Sequence, residues 1–197
     1  MKETDSDWKK FYWIDIVKFF RHFVGNNQIL QKVYYFTAPP LKLDKSNRQS
    51  ELLLANMAIN ANSFEVIRGQ FYEKQVTCKV CKNKYTVAEE KRTDVNISVR
   101  MMRDCATGDV DTIVLVCADS DLIPPLQCVK ELYPEKKVRV YFPPGLYSGA
   151  HVALMKAENK NVVRLEKSKM KFAASIMPDS FTIDGKSYTT PAKWKVN

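Results

Sequence analysis

Thr112–Ala118 (TIVLVCA) is an unbroken apolar run, rich in β-branched residues, that leads straight into Asp119-Ser120-Asp121. A run of this length reads as a strand, and with no polar alternate it is expected to be covered on both faces. Strands of that kind belong to parallel sheets, whose crossover connections lay helices over the two faces. The rest of the chain must then supply strands alternating with helices. Ile29–Thr37 reads as a strand ending at Pro39-Pro40, Phe64–Phe71 as a second, Lys137–Phe142 as a third after the acidic one, and Asn161–Leu165 as a short last one. Helical spacing runs through Trp8–Val24, with Ile14, Val17, Phe19 or Phe20 and Phe23 on its apolar face and Gly25-Asn26-Asn27 as its stop. It recurs in Ser46–Asn62, in Thr93–Ala106 (Ile97, Val99, Met101, Met102 and Cys105 inward), in Leu122–Tyr133 and in Tyr147–Lys156. Gln75–Ala88 reads as a hairpin with Lys82-Asn83-Lys84 at its tip.

The expected class is therefore α/β, a three-layer α/β/α sandwich around a mostly parallel sheet. Residues 1–167 form the domain, the hairpin at 72–90 is an insertion in it, and 168–197 are a C-terminal extension. That extension shows no helical period and carries one turn signal, Asp184-Gly185. A length of 197 residues and 45% apolar content suit one domain with a real core. No apolar stretch is long enough to span a bilayer, and Met1-Lys-Glu-Thr-Asp has no apolar signal region. Five cysteines, scattered apart from Cys78-Lys-Val-Cys81, fit free thiols in a reducing compartment, so a cytoplasmic location without membrane association is expected.

The net charge of +9 and pI ≈ 9.2 invite a polyanion, because each cation set against a phosphate releases condensed counterions. Two stretches concentrate the charge. One holds Lys74, Lys79, Lys82, Lys84, Lys91 and Arg92 against Glu89 and Glu90; the other holds Lys156, Lys160, Arg164, Lys167, Lys169 and Lys171 against Glu158 and Glu166. Either alone also reads as a solvated surface; two in one small domain favour nucleic acid.

The acids at the end of the apolar strand are the sharpest chemical signal. Open parallel sheets bind ligands beyond the carboxyl ends of their strands. Two carboxylates there suit a hard cation that keeps several waters. The same residues also read as a helix start, with Ser120 or Asp121 as cap and Pro124 in the first turn. Asp94 opens the helix before the acidic strand; it reads equally as dipole compensation and as a third acid beside Asp119 and Asp121.

Taken in order, these pieces resemble the LabA-type NYN-domain proteins of the PIN-like nuclease superfamily. The resemblance rests on Glu89-Glu90-Lys91-Arg92-Thr93-Asp94-Val95-Asn96, a helix, Asp109-Val110-Asp111, the apolar strand, Asp119-Ser120-Asp121-Leu122-Ile123-Pro124-Pro125, a further helix, and a strand ending Phe142-Pro143-Pro144. It runs from about Trp8 to Trp194 and includes the terminal Pro191-Ala192-Lys193-Trp194. It implies a metal-dependent ribonuclease-like site in which Asp94, Asp119 and Asp121 hold Mg²⁺ or Mn²⁺, with Ser120 and Asn96 close by. Lys91 or Arg92 would hold a phosphate, and Lys79, Lys82 and Lys84 would meet RNA, most naturally single-stranded. Asp111, at the far end of the acidic strand, is read as structural. Such domains begin with a short apolar strand carrying a further acid. This chain opens where the linker after it would lie, so the domain is expected to lack that strand.

That expectation keeps a second reading open, a catalytically inactive RNA-binding module of the same fold. A third reading takes Asp119 and Asp121 as a phosphatase nucleophile and acid, but the pair lies far from the first strand, where haloacid-dehalogenase-like enzymes carry theirs. Cys78 and Cys81 supply half of a zinc site; four ligands are needed, so a second chain in a homodimer is one source of the rest. Phe11-Tyr12-Trp13 and Tyr34-Tyr35-Phe36 fit core packing better than base stacking.

Overall fold

The structure is a computed structural model that describes residues 6–108, 110–147, 152–153, 155–156 and 162–195. It is α/β, with parallel strands in two sheets among the described residues, one pairing Val33–Thr37 with Phe64–Arg68 and the other joining Thr112–Val116, Lys137–Phe142 and Val162–Arg164. Two compact units are distinguished, Met1–Trp8 with Ile97–Ala174, and Lys9–Asn96 with Ser175–Asn197. No described helix is long and apolar enough to cross a membrane.

The first unit is built on the acidic strand. Helix α4 (Thr93–Thr107) enters it after its first turn and is followed by β5 (Thr112–Val116), α5 (Ile123–Leu132), β6 (Lys137–Phe142) and β7 (Val162–Arg164), then α6 (Lys169–Ala174). The strands run parallel with β6 central: Leu115 lies opposite Val140, and Val140 opposite Val162. Helix α5 starts at Ile123-Pro124-Pro125, where a missing N–H costs no helical bond. Its Leu126 and Val129 are wholly buried with Val140, Phe142 and Met155, and Met101, Cys105 and Leu115 join the same core.

Two inward assignments are corrected. Ile113, Leu115 and Cys117 pack on the core, whereas Val114 and Val116, on the alternate face of β5, are 41% and 39% exposed. The strand is thus buried on one face, not two, as the period of two along a strand separates these sets. On α4 the inward stripe is Ile97, Met101 and Cys105; Val99 falls off this i, i+4 line and is 61% exposed. The helix expected at Tyr147–Lys156 lies mostly outside the described residues; 152–153 and 155–156 are helical.

The second unit holds β1 (Val33–Thr37), α3 (Leu43–Ile59), β2 (Phe64–Arg68), β3 (Gln70–Thr77) and β4 (Lys84–Lys91), and from the chain's end β8 (Ser180–Ile183) and β9 (Lys186–Thr189). Strands β1 and β2 are parallel, with Val33 opposite Phe64. The helix expected across Trp8–Val24 is instead two, α1 (Ser6–Lys9) and α2 (Ile16–Arg21). The break has a tertiary cause. Trp13 O accepts from Met177 N–H at 3.1 Å, Asp15 N–H donates to Ser175 O at 2.9 Å, and Ile14 bridges Ile176 antiparallel. Asp15 then caps α2 by accepting from Lys18 N–H at 2.9 Å. Asn56 on α3 completes the junction: its Oδ1 accepts from Ile16 N–H at 2.7 Å and its Nδ2 donates to the carbonyls of Ile14 and Leu52, both at 3.0 Å.

The strand expected through Phe71 stops at Arg68, because Gly69 turns the chain into β3. A Cβ on Gly69 would come within 2.5 Å of Thr93 Oγ1 and 2.9 Å of Lys91 O, so only glycine fits this approach. The segment after 168 forms more regular structure than expected, around the turn that Asp184-Gly185 announced. α6 covers Lys169–Ala174, and β8 and β9 pair antiparallel around Asp184 and Gly185. Both turn residues have positive φ, 50° and 75°, the type I′ geometry that matches strand twist. Tyr188 and Met177 from this stretch are buried with Trp13 and Ala55.

Candidate functional site

The first part of the site is the turn after β5. Cys117 N–H donates to Tyr141 O at 3.1 Å, which carries the parallel pairing one residue past the strand. The chain then enters a short 3₁₀ turn, Ser120–Leu122. Its cap is Asp119, whose Oδ1 accepts from Asp121 N–H at 3.0 Å, not Ser120 or Asp121 as a helix-start reading has it. Leu122 sinks into the core and fixes the turn, while Asp119 and Asp121 are exposed and Ser120 is half-buried. The cap uses one oxygen of Asp119, so capping and ligand binding are compatible roles for this pair.

The second part is the start of α4. Arg92 has a left-handed φ of 76°, after which Thr93 Oγ1 donates to Glu90 Oε1 at 2.5 Å. Asn96 N–H donates to Arg92 O at 2.8 Å, and Asn96 Nδ2 reaches Arg68 O at 3.5 Å. Asp94 is exposed in the first helical turn, where the helix dipole favours a carboxylate. Lys91 Nζ pairs with Glu89 Oε1 at 2.5 Å; this hydrogen bond and charge hold the Glu89 carboxyl below the usual carboxylate range. Glu90, Thr93 and Gly69 brace this corner. Their role carries no standard sequence signal, since Glu90 precedes Thr93 where a capping box has the Thr first.

The structure thus brings Asp119 and Asp121 together on one turn. Asp94 with Lys91, Arg92 and Asn96 belongs to the other unit. No group of three His, Cys, Asp or Glu side chains gathers among the described residues. Lys79, Lys82 and Lys84 are exposed around the β3–β4 connection, with Cys81 exposed and Cys78 half-buried beside them.

Much of the second basic stretch is engaged. Lys156 and Arg164 lie over the Tyr147 ring at 3.6 and 3.9 Å, Arg164 pairs with Glu166, and Lys169 pairs with Asp7 at 3.7 Å. Glu158 and Lys160 lie outside the described residues. Phe11 and Trp13 are core residues, and burial pushes the Tyr35 hydroxyl up. A cavity of about 210 Å³ is lined by Lys10, Trp13, Ile176, Asp179, Thr190, Trp194 and Lys195, none of them a site residue expected from the sequence.

The family model described as NYN domain matches residues 4–163, most of the chain. No curated protein and no solved structure matches it. NYN domains are part of the PIN-like nuclease superfamily. On the extent of this match, the chain belongs to the NYN-domain family.

Proposed function

We propose that this chain is a LabA-type ribonuclease that hydrolyses RNA phosphodiester bonds with a divalent cation held at Asp119 and Asp121. The observation that carries the proposal is the pair of exposed carboxylates on a single turn, just beyond the carboxyl end of parallel strand β5. The donor set fits Mg²⁺ or Mn²⁺, since Mg²⁺ takes one or two carboxylates and completes its shell with water. Bound there, the ion supplies Lewis-acid neutralisation of the attacked phosphate and a water of lowered pKa.

The chain's own groups do the rest. The Asp121 N–H bond fixes the rotamer of Asp119, so its carboxylate is oriented before any ligand arrives. What supports a role for Asp94 is its place in the family's Thr93-Asp94-Val95-Asn96 motif, by which it is proposed as a further metal-site acid, and a carboxylate of the set serves to orient the attacking water. Ser120 and Asn96 offer a hydroxyl and an amide to the substrate. Arg92, exposed at its left-handed position, and Lys91, once it exchanges Glu89 for a phosphate, hold the strand. Lys79, Lys82 and Lys84 attract single-stranded RNA along its backbone.

The test is cleavage of labelled single-stranded RNA in Mn²⁺, with EDTA and an Asp119→Asn/Asp121→Asn variant alongside. Cutting that EDTA abolishes and the variant lacks is the expected result. Folded protein that binds RNA without cutting it under any metal would replace the enzyme by the binding module.

A further inference from the structure

Strands β3 and β4 stay in register out to Thr77 opposite Lys84, and the six residues 78–83 close the ribbon. Two backbone bonds shape the closure: Cys78 N–H donates to Asn83 O at 2.8 Å, and Lys82 N–H donates to Cys78 O at 3.0 Å. Lys82 takes a left-handed φ of 59° to complete the turn. The two cysteines are thereby folded toward each other. Cys78 and Cys81 thus share one tight turn at the Cys-x-x-Cys spacing of paired zinc ligands. The thiolate is the form that ligates metals. Lys79, Lys82 and Lys84 add positive potential around it.

What the turn lacks is ligands. Zinc in a structural site takes four, and among the described residues no third His, Cys, Asp or Glu stands with this pair. Most of the ribbon is exposed, which leaves its tip open to approach. Val80, between the two cysteines, is 91% exposed, the most exposed large apolar side chain described.

We infer that the hairpin tip is a zinc half-site completed by the same hairpin of a second copy, so that Cys78 and Cys81 of two chains hold one ion and join a dimer. A two-fold axis through the ion makes the contact self-complementary and supplies four thiolates. The thiol protons are released to solvent as the ion binds. Four thiolates and one Zn²⁺ leave a net charge of −2, which the lysines of the two tips balance. Without the ion, the same lysines face one another and oppose contact, so association depends on metal. The pairing also covers Val80.

The test uses the full chain, reduced and loaded with zinc, measured by light scattering for mass and by elemental analysis for metal. One zinc per two chains and a dimeric mass are expected. Chelation of the wild-type protein halves the mass, and Cys78→Ser and Cys81→Ser retain neither zinc nor dimer. Their near-ultraviolet circular dichroism stays unchanged, since no core side chain comes from the tip. Co²⁺ in place of zinc gives the absorption bands of a tetrahedral thiolate site in wild type alone. Absence of bound zinc, one zinc per monomer, or a dimer that survives Cys78→Ser overturns the inference. So does a dimer that reductant dissolves and chelator does not, because that is a disulfide.

Discussion

At the scale of single residues, buried polar groups and exposed acids make separable claims. Asn56 has no exposure, and its amide serves Ile16 N–H, Ile14 O and Leu52 O. Asn56→Leu strands at least two buried backbone groups, each costing about 1–3 kcal/mol, so a loss of about 2–4 kcal/mol is expected in urea unfolding. Asp119 is both a cap and a proposed ligand, and two substitutions separate the roles. Asparagine caps as well as aspartate, so Asp119→Asn should hold stability within about 0.5 kcal/mol while RNA cleavage falls by at least about 10²-fold; Asp119→Ala should in addition lose about 1 kcal/mol. Thermal melts beside a cleavage assay read both. The thiols divide in the same way. Backbone N–H groups of Cys81 and Val80 lower the Cys78 pKa, while burial raises that of Cys105. A lowered pKa leaves more thiolate at neutral pH, so iodoacetamide should label metal-free protein at Cys78 well before Cys105. That labelling should slow as pH falls through the Cys78 pKa. Peptide mass spectrometry decides it; earlier labelling of Cys105 would contradict the assignment.

At the scale of elements, the corner joining β2, β3 and α4 sets where the helix carrying Asp94 begins. Gly69→Ala puts a methyl group 2.5 Å from Thr93 Oγ1 and 2.9 Å from the backbone Lys91 O, so the chain leading into α4, and Asp94 with it, must shift. Overpacking of this kind costs about 1–3 kcal/mol, and misplacing a reacting group by about 1 Å costs up to about 10²-fold in rate. Cleavage should therefore fall further than the melting temperature implies; full activity in Gly69→Ala would show that this helix start does not position the chemistry. Lys137–Phe142 and the helix from Thr93 were legible because periodicity and punctuation agreed with their tertiary setting. Trp8–Val24 was not, since the groups that divide it, Asn56 and Ser175–Met177, lie far along the chain and no local signal announces them. The exposed face of β5 was hidden for a related reason: Val114 and Val116 are as apolar as the residues that are buried. The Asp-Ser-Asp turn was legible as chemistry, but its cap was misassigned by one or two residues, as a three-residue 3₁₀ turn intervenes before α5.

At the scale of the whole molecule, the net charge of +9 overstates what RNA can meet. Arg164 is committed to Tyr147 and Glu166, Lys156 lies over the same ring, Lys169 pairs with Asp7, and Lys91 pairs with Glu89. The β3–β4 connection presents its cations differently: Lys79, Lys82 and Lys84 are all exposed within six residues of chain. On single strands each neutralised phosphate contributes about 0.7 to the slope of log affinity against log salt. Replacing these three lysines by glutamine should therefore reduce that slope by about 2, whatever the RNA sequence, because backbone contacts carry no base information. Arg164→Gln should leave it nearly unchanged. Titration of a labelled single strand at several salt concentrations, with EDTA present to prevent cleavage, measures both. An unaltered slope in the triple variant would remove the hairpin from the RNA surface and leave its lysines to the metal-dependent contact between chains. A loss of slope in Arg164→Gln would mean that the pairing with Glu166 opens when RNA binds, and that the second basic stretch, not the hairpin alone, follows the phosphate backbone.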